Sequence, residues 1–149
     1  MELLEHLRDH LIAQNIVRRP RDTTPAGKPP MWLEPKLGVP GPGEGQNTTE
    51  VGPDIVIGAY DSTGIANQPY IAEYLRRPHV ELRYRSRTAP LARQTARLIY
   101  SALCDKRGWY MAGLWIYQSL VCRDFQRVGS DEQGYEYLAE YEFEVRTAA

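Results

Sequence analysis

Apolar and polar positions alternate most cleanly at two places in the chain. Over 79–87, "HVELRYRSR", Arg83, Arg85 and Arg87 fall at every second position, with Val80, Leu82 and Tyr84 in the opposite phase. Successive side chains of a strand point to opposite faces, so this pattern predicts one apolar face and one row of guanidiniums. Over 135–145, Tyr135, Tyr137, Ala139, Tyr141, Phe143 and Val145 share one phase. Glu136, Leu138, Glu140, Glu142 and Glu144 take the other. "WIYQSLVCRDF", rich in aromatic and β-branched residues, reads as a strand. The turn "GSDEQG" joins it to the acidic strand as a hairpin. "DIVIGAY", 54–60, reads as a buried strand, and "DSTGIANQPY" after it is turn chemistry. "YIAEYLR", 70–76, reads as a helical turn or loop ahead of Pro78.

Two segments repeat at helical spacing instead. In 1–17, Leu3, Leu4, Leu7, Leu11 and Ile12 form one face, with Glu5, His6, Arg8 and Asp9 mostly away from it, and Pro20 stops the helix. After Thr88, a favourable N-cap, and Pro90, tolerated in a first turn, come Leu91, Thr95, Leu98, Ile99, Ala102 and Leu103. Lys106 and Arg107 suit the negative end of that helix and Gly108 its stop. Two helices against the apolar face of a mostly antiparallel sheet make a two-layer α+β domain.

Residues 20–53 break the periodicity. They hold eight of the eleven prolines and form a long Pro/Gly-rich arm or loop. Within it Met31, Trp32 and Leu33 read as a short edge strand between prolines, and as a segment that orders on a partner. At 149 residues the chain is read as one domain, 1–149, able to bury about 68–70% of its unfolded surface. It has no apolar run long enough for a membrane, and its amphipathic start does not read as a signal peptide.

The charge distribution sharpens the picture more than the net charge of −1. Arg76 to Arg97 contains seven arginines and one acid, Glu81, whereas Asp131 to Glu144 contains six acids and no Lys or Arg. Three readings of the arginine row compete: an exposed face neutralised by cross-strand carboxylates, a track for nucleic-acid phosphates, and a seam between identical subunits. Opposite-sign complementarity favours a seam in which Arg83, Arg85 and Arg87 of one copy meet Glu140, Glu142 and Glu144 of the next.

Candidate chemistry is sparse. "GPGEGQ" lacks the preceding strand and following helix of a phosphate cradle. His6 and His10, four apart, read as surface histidines on the polar face of their helix. Asn47-Thr48-Thr49 matches a glycosylation acceptor in a chain with no sign of secretion. Cys104 and Cys122 give no ligand spacing and point to a reducing compartment, and Cys122 reads as a buried, inert thiol. Glu140, Glu142 and Glu144 read as a solvated strand face rather than a divalent-metal site. No catalytic, cofactor-binding or metal-binding residue is expected, and the chain is not read as an enzyme.

The succession "LLEHLRDHLIAQ", "PPMWLEP", "DIVIGAYDSTGIANQPYIAEYLRRPHVELRYRS", "APLARQTARLIYSAL" and "GLWIYQSLVCRDFQRVGSDEQG", closed by an alternating strand, spans nearly the whole chain. In that order it resembles the tail terminator, or tail completion, proteins of long-tailed bacteriophages, often labelled minor capsid or minor tail proteins. The resemblance implies a structural virion protein, assembled in the host cytoplasm into a ring, typically a hexamer, at the head-proximal end of the tail. Such a ring stops tail-tube polymerisation and offers the docking surface for the head, with genomic DNA passing through its lumen without specific binding. Its implied partners are the tail tube protein and the head–tail connector. A head-completion or stopper ring of the same connector is the nearest alternative, and a nucleic-acid-binding module the alternative of a different class.

Overall fold

The computed structural model describes residues 2–34, 54–63, 75–131 and 134–146. Two helices, α1 (Leu3–Ala13) and α2 (Ala89–Leu103), lie on one face of a seven-stranded sheet. The strands are β1 (Met31–Leu33), β2 (Ile55–Asp61), β3 (Leu75–Arg76), β4 (His79–Ser86), β5 (Lys106–Met111), β6 (Leu114–Asp131) and β7 (Gly134–Arg146). Their spatial order is β1-β2-β4-β7-β6-β5, with β3 also on β7. Every pairing is antiparallel except β1 with β2. The fold is thus the expected two-layer α+β arrangement.

Alternation builds the core. Ile57 lies opposite Tyr84, and Tyr84 opposite Tyr137. Ala59, Leu82 and Ala139 form the next row. All six are buried. Leu4, Leu7 and Leu11 of α1 and Ala92, Ala96, Ile99 and Leu103 of α2 close over these rows. Each large apolar side chain withdrawn from water there contributes about 1.5–3 kcal/mol.

Several expectations need correction. The first helix ends at Ala13, and its polar side is not all solvated: Arg8 and His10 are buried. The Arg8 guanidinium donates to the Met31 carbonyl at 3.3 Å, and His10 lies against Trp109 with ring centroids 4.9 Å apart. α2 stops at Leu103, before Lys106, Arg107 and Gly108. Asp105 takes a left-handed φ of 51°, which a short polar side chain tolerates, and reverses the chain into β5. Leu98, counted on the apolar stripe, is 47% exposed, and the small Ala92 and Ala96 let the helix approach the sheet instead.

The proline-rich segment is not an arm over its first part. Arg18 bridges to Pro30 in parallel, and Met31 donates to the Arg18 carbonyl at 3.0 Å, which ties 18–33 to the sheet. Met31, Trp32 and Leu33 do form the edge strand, but their side chains are buried in their own chain and offer no surface to a partner. The remainder of that segment, 35–53, with "GPGEGQ" and the Asn47 acceptor, lies outside the described residues. So do 64–74, which hold most of "DSTGIANQPY" and "YIAEYLR"; the last two residues of the latter form β3 rather than a helical turn.

Candidate functional site: the charged face of the sheet

The face turned away from the helices carries the charge. β4 and β7 are hydrogen-bonded neighbours, so the arginine row and the acidic row lie side by side in one molecule. The register sets Glu81 opposite Glu140, Arg83 opposite Leu138 and Arg85 opposite Glu136. Arg83 donates through Nε to Glu81 at 2.9 Å and through Nη1 to Glu136 at 3.4 Å, and its guanidinium lies 5.9 Å from the Tyr60 ring centroid. Arg87 falls beyond the strand, where its backbone N–H donates to the Asp54 carbonyl while its side chain is exposed. Glu144 meets Arg77 at 3.7 Å.

Of the three readings of the arginine row, neutralisation by cross-strand carboxylates is the one seen at Arg83. Arg83 is matched by carboxylates of its own sheet and Glu144 by Arg77, while Glu140 and Glu142 lie within hydrogen-bond distance of the two His79 ring nitrogens. Neighbouring strands bring the two rows within contact distance before any second copy arrives, so strip-on-strip attraction between copies loses much of its driving force.

The acidic row does something the sequence did not announce. Glu140 collects three side chains: Ser62 Oγ donates at 3.1 Å, Cys122 Sγ at 3.2 Å, and His79 Nδ1 lies 3.2 Å away. Glu142 takes the other imidazole nitrogen, Nε2, at 3.0 Å. Cys122 Sγ stands 4.0 Å from His79 Nδ1. β4, β7 and β6 supply His79, Glu140 and Cys122 in turn, and their ligand atoms all lie within 4.8 Å of one another. Burial opposes ionisation of Glu140, but the hydrogen bonds from Cys122 and Ser62 and the nearby His79 outweigh it and hold its carboxyl below the usual range.

Cys122 is exposed, not buried. Val121 pairs with Tyr141 and Arg123 with Glu140, so two steps along β6 match one along β7, and Cys122 is the bulged residue between them. A bulge re-aims the side chain it carries, here toward Glu140. Desolvation first, then the hydrogen bond to Glu140, pushes the thiol up to about 12. A thiol so raised is a donor near neutrality and not a nucleophile. Only the pairing register brings these residues together, and no local motif encodes it.

Along the other side of β6, β5 pairs with Leu114–Ser119 and ends there. Among the described residues no strand covers the same side of Leu120–Asp131. Arg123, Asp124, Gln126, Arg127 and Val128 are exposed on this stretch, and register shifts interrupt it at three places. No protein-family model matches this sequence, and no curated protein does.

Proposed function

We propose that this chain is a structural subunit of a phage virion, a tail terminator that closes into a ring of identical copies on the last ring of the tail tube. The observation that carries the reading is the open half of β6. Along twelve residues, Leu120 to Asp131, the edge of β6 turned away from β7 has no partner strand among the described residues. An uncovered edge presents unpaired N–H and C=O groups that pair readily with another chain. Its bulges and its charges at Arg123, Asp124 and Arg127 discourage indiscriminate pairing and narrow the partner to a surface of matching shape. A second copy supplies such a surface at every subunit, and a repeated head-to-tail contact closes into a ring when the rotation allows. The seam thus lies along β6, with the charged rows of β4 and β7 beside it.

Two further features support the reading. The combination of two helices and a sheet in one small domain is compatible with the small α/β subunit that the resemblance implies. Arg83, held by Glu81 and Glu136, has its charge largely offset within its own sheet, which suits a ring through which DNA slides. The test is functional: tail tube subunits polymerise in the presence of the purified chain. A terminator arrests growth and appears at one end of each tube; undiminished tube length with no end-bound chain overturns the proposal.

A further inference from the structure

We propose that His79, Cys122 and Glu140 form a binding site for a thiophilic divalent cation, zinc in class, that pins β4, β7 and β6 together on the outer face of the sheet. The inference concerns the fold of one subunit and does not depend on the assembly reading.

The donor set comes first. An imidazole nitrogen, a thiolate sulfur and a carboxylate oxygen are the three ligand types that zinc takes, at about 2.0–2.1, 2.3 and 2.0–2.2 Å. Tetrahedral bonds of those lengths set the ligand atoms about 3.3–3.6 Å from one another. The three atoms lie 3.2 Å (Nδ1 to Oε1), 3.2 Å (Sγ to Oε1) and 4.0 Å (Sγ to Nδ1) apart. Side-chain adjustments of half an ångström bring them onto a common ion. Hard cations such as magnesium and calcium prefer oxygen, so sulfur and nitrogen together select against them.

The shell behind the ligands is also in place. Both imidazole nitrogens of His79 face carboxylates, Nδ1 to Glu140 at 3.2 Å and Nε2 to Glu142 at 3.0 Å. With the ring proton on Nε2, donated to Glu142, Nδ1 is the nitrogen free to ligate an ion at the cluster. Ser62 Oγ donates to the second oxygen of Glu140 at 3.1 Å. A carboxylate behind a ligating histidine and a hydroxyl behind a ligating carboxylate are the usual outer supports of a zinc site. Each ligand stands on a different strand of one hydrogen-bonded ladder, so the scaffold is rigid. The Cys122 bulge orients the thiol, and its exposure admits the ion and leaves the fourth position to water.

Two carboxylates around one imidazole, with a thiol beside them, leave excess negative charge once the sulfur ionises. A divalent cation offsets it. In the binding step a metal–sulfur bond forms, the Cys122 S–H bond breaks, and the proton leaves to solvent; nothing is oxidised or reduced.

Cobalt(II) and zinc titrations of the chelator-stripped full chain test the site. The expected result is one equivalent of cobalt with a thiolate-to-cobalt charge-transfer band, displaced by zinc, unchanged in Cys104→Ser and abolished in Cys122→Ser. By calorimetry, His79→Gln binds zinc at least tenfold more weakly, and Glu142→Gln binds it about 10–100-fold more weakly through loss of the outer support. If Cys122→Ser does not fold, the wild-type and Cys104→Ser spectra decide alone. Absence of the charge-transfer band in the wild type, or its disappearance in Cys104→Ser, overturns the proposal.

Discussion

Arg83 and Glu136 stand on adjacent strands with Nη1 and Oε1 3.4 Å apart, and Glu81 holds the same guanidinium from the other side at 2.9 Å. Positive and negative rows that look like separate bands in the sequence are thereby joined in the fold. The pair is partly exposed, so its contribution is modest, about 0.2–1 kcal/mol. Arg83→Glu sets three carboxylates together and lowers the unfolding free energy by about 1 kcal/mol, and adding Glu136→Arg recovers part of it. Urea denaturation of the two single variants and the double variant measures the coupling; strictly additive effects would mean that the contact carries no energy.

Gly134, at φ 141°, leads into β7. A Cβ there would run into the carbonyl of Ser86, a backbone atom that cannot swing aside. Both the unusual φ and the contact penalise any larger residue. Gly134→Ala is expected to cost about 2 kcal/mol or more, read as a lowered denaturation midpoint with an unchanged slope.

His10 is buried between α1 and β5, against the Trp109 ring, with a backbone hydrogen bond to Ala102 and Lys106 as the nearby charge. Burial lowers its affinity for a proton below the ordinary value of 6.5, and Lys106 adds to this against the raising effect of Ala102. The unfolded chain therefore takes up the proton first. Stability is complete above pH 6.5 and falls as the pH drops below it. His10→Gln flattens that limb of the stability profile, measured by thermal unfolding from neutral to mildly acidic pH. An equally steep limb in the variant would assign it to other groups.

Where burial imposes a period, the sequence displayed it. Ile57, Leu82, Tyr84, Tyr137, Ala139 and Phe143 alternate and are buried as alternation requires, and Ile99 and Leu103 follow the helical face. Features that depend on contacts between distant segments were not legible. Lys106 and Arg107 resemble a helix end until Ser119 and Gln118 pair with them as a strand. Arg8 and His10 look like surface residues because nothing local reveals that β1 and Trp109 cover them. Cys122 looks buried because a thiol inside a strand usually is, and the register that sets Val121 against Tyr141 turns it to the outer face instead. The meeting of His79 with Glu140 is a register fact joining strands far apart in sequence.

Val128, 48% exposed, is the bulged residue between Arg127 and Gly129 on the open half of β6. Val128→Lys adds a charge to the proposed seam and touches nothing in the core. Its effect on unfolding free energy is expected within about 0.5 kcal/mol. Self-association weakens at least tenfold, as read by analytical ultracentrifugation. Unaltered association would move the seam away from β6.

The mass of the particle in solution tests self-assembly most directly. Native mass spectrometry of the full chain across a concentration series is expected to show a closed species at a fixed multiple of the 17.0 kDa subunit, with six copies dominant and no ladder of larger forms. A 17.0 kDa monomer at every concentration would contradict it.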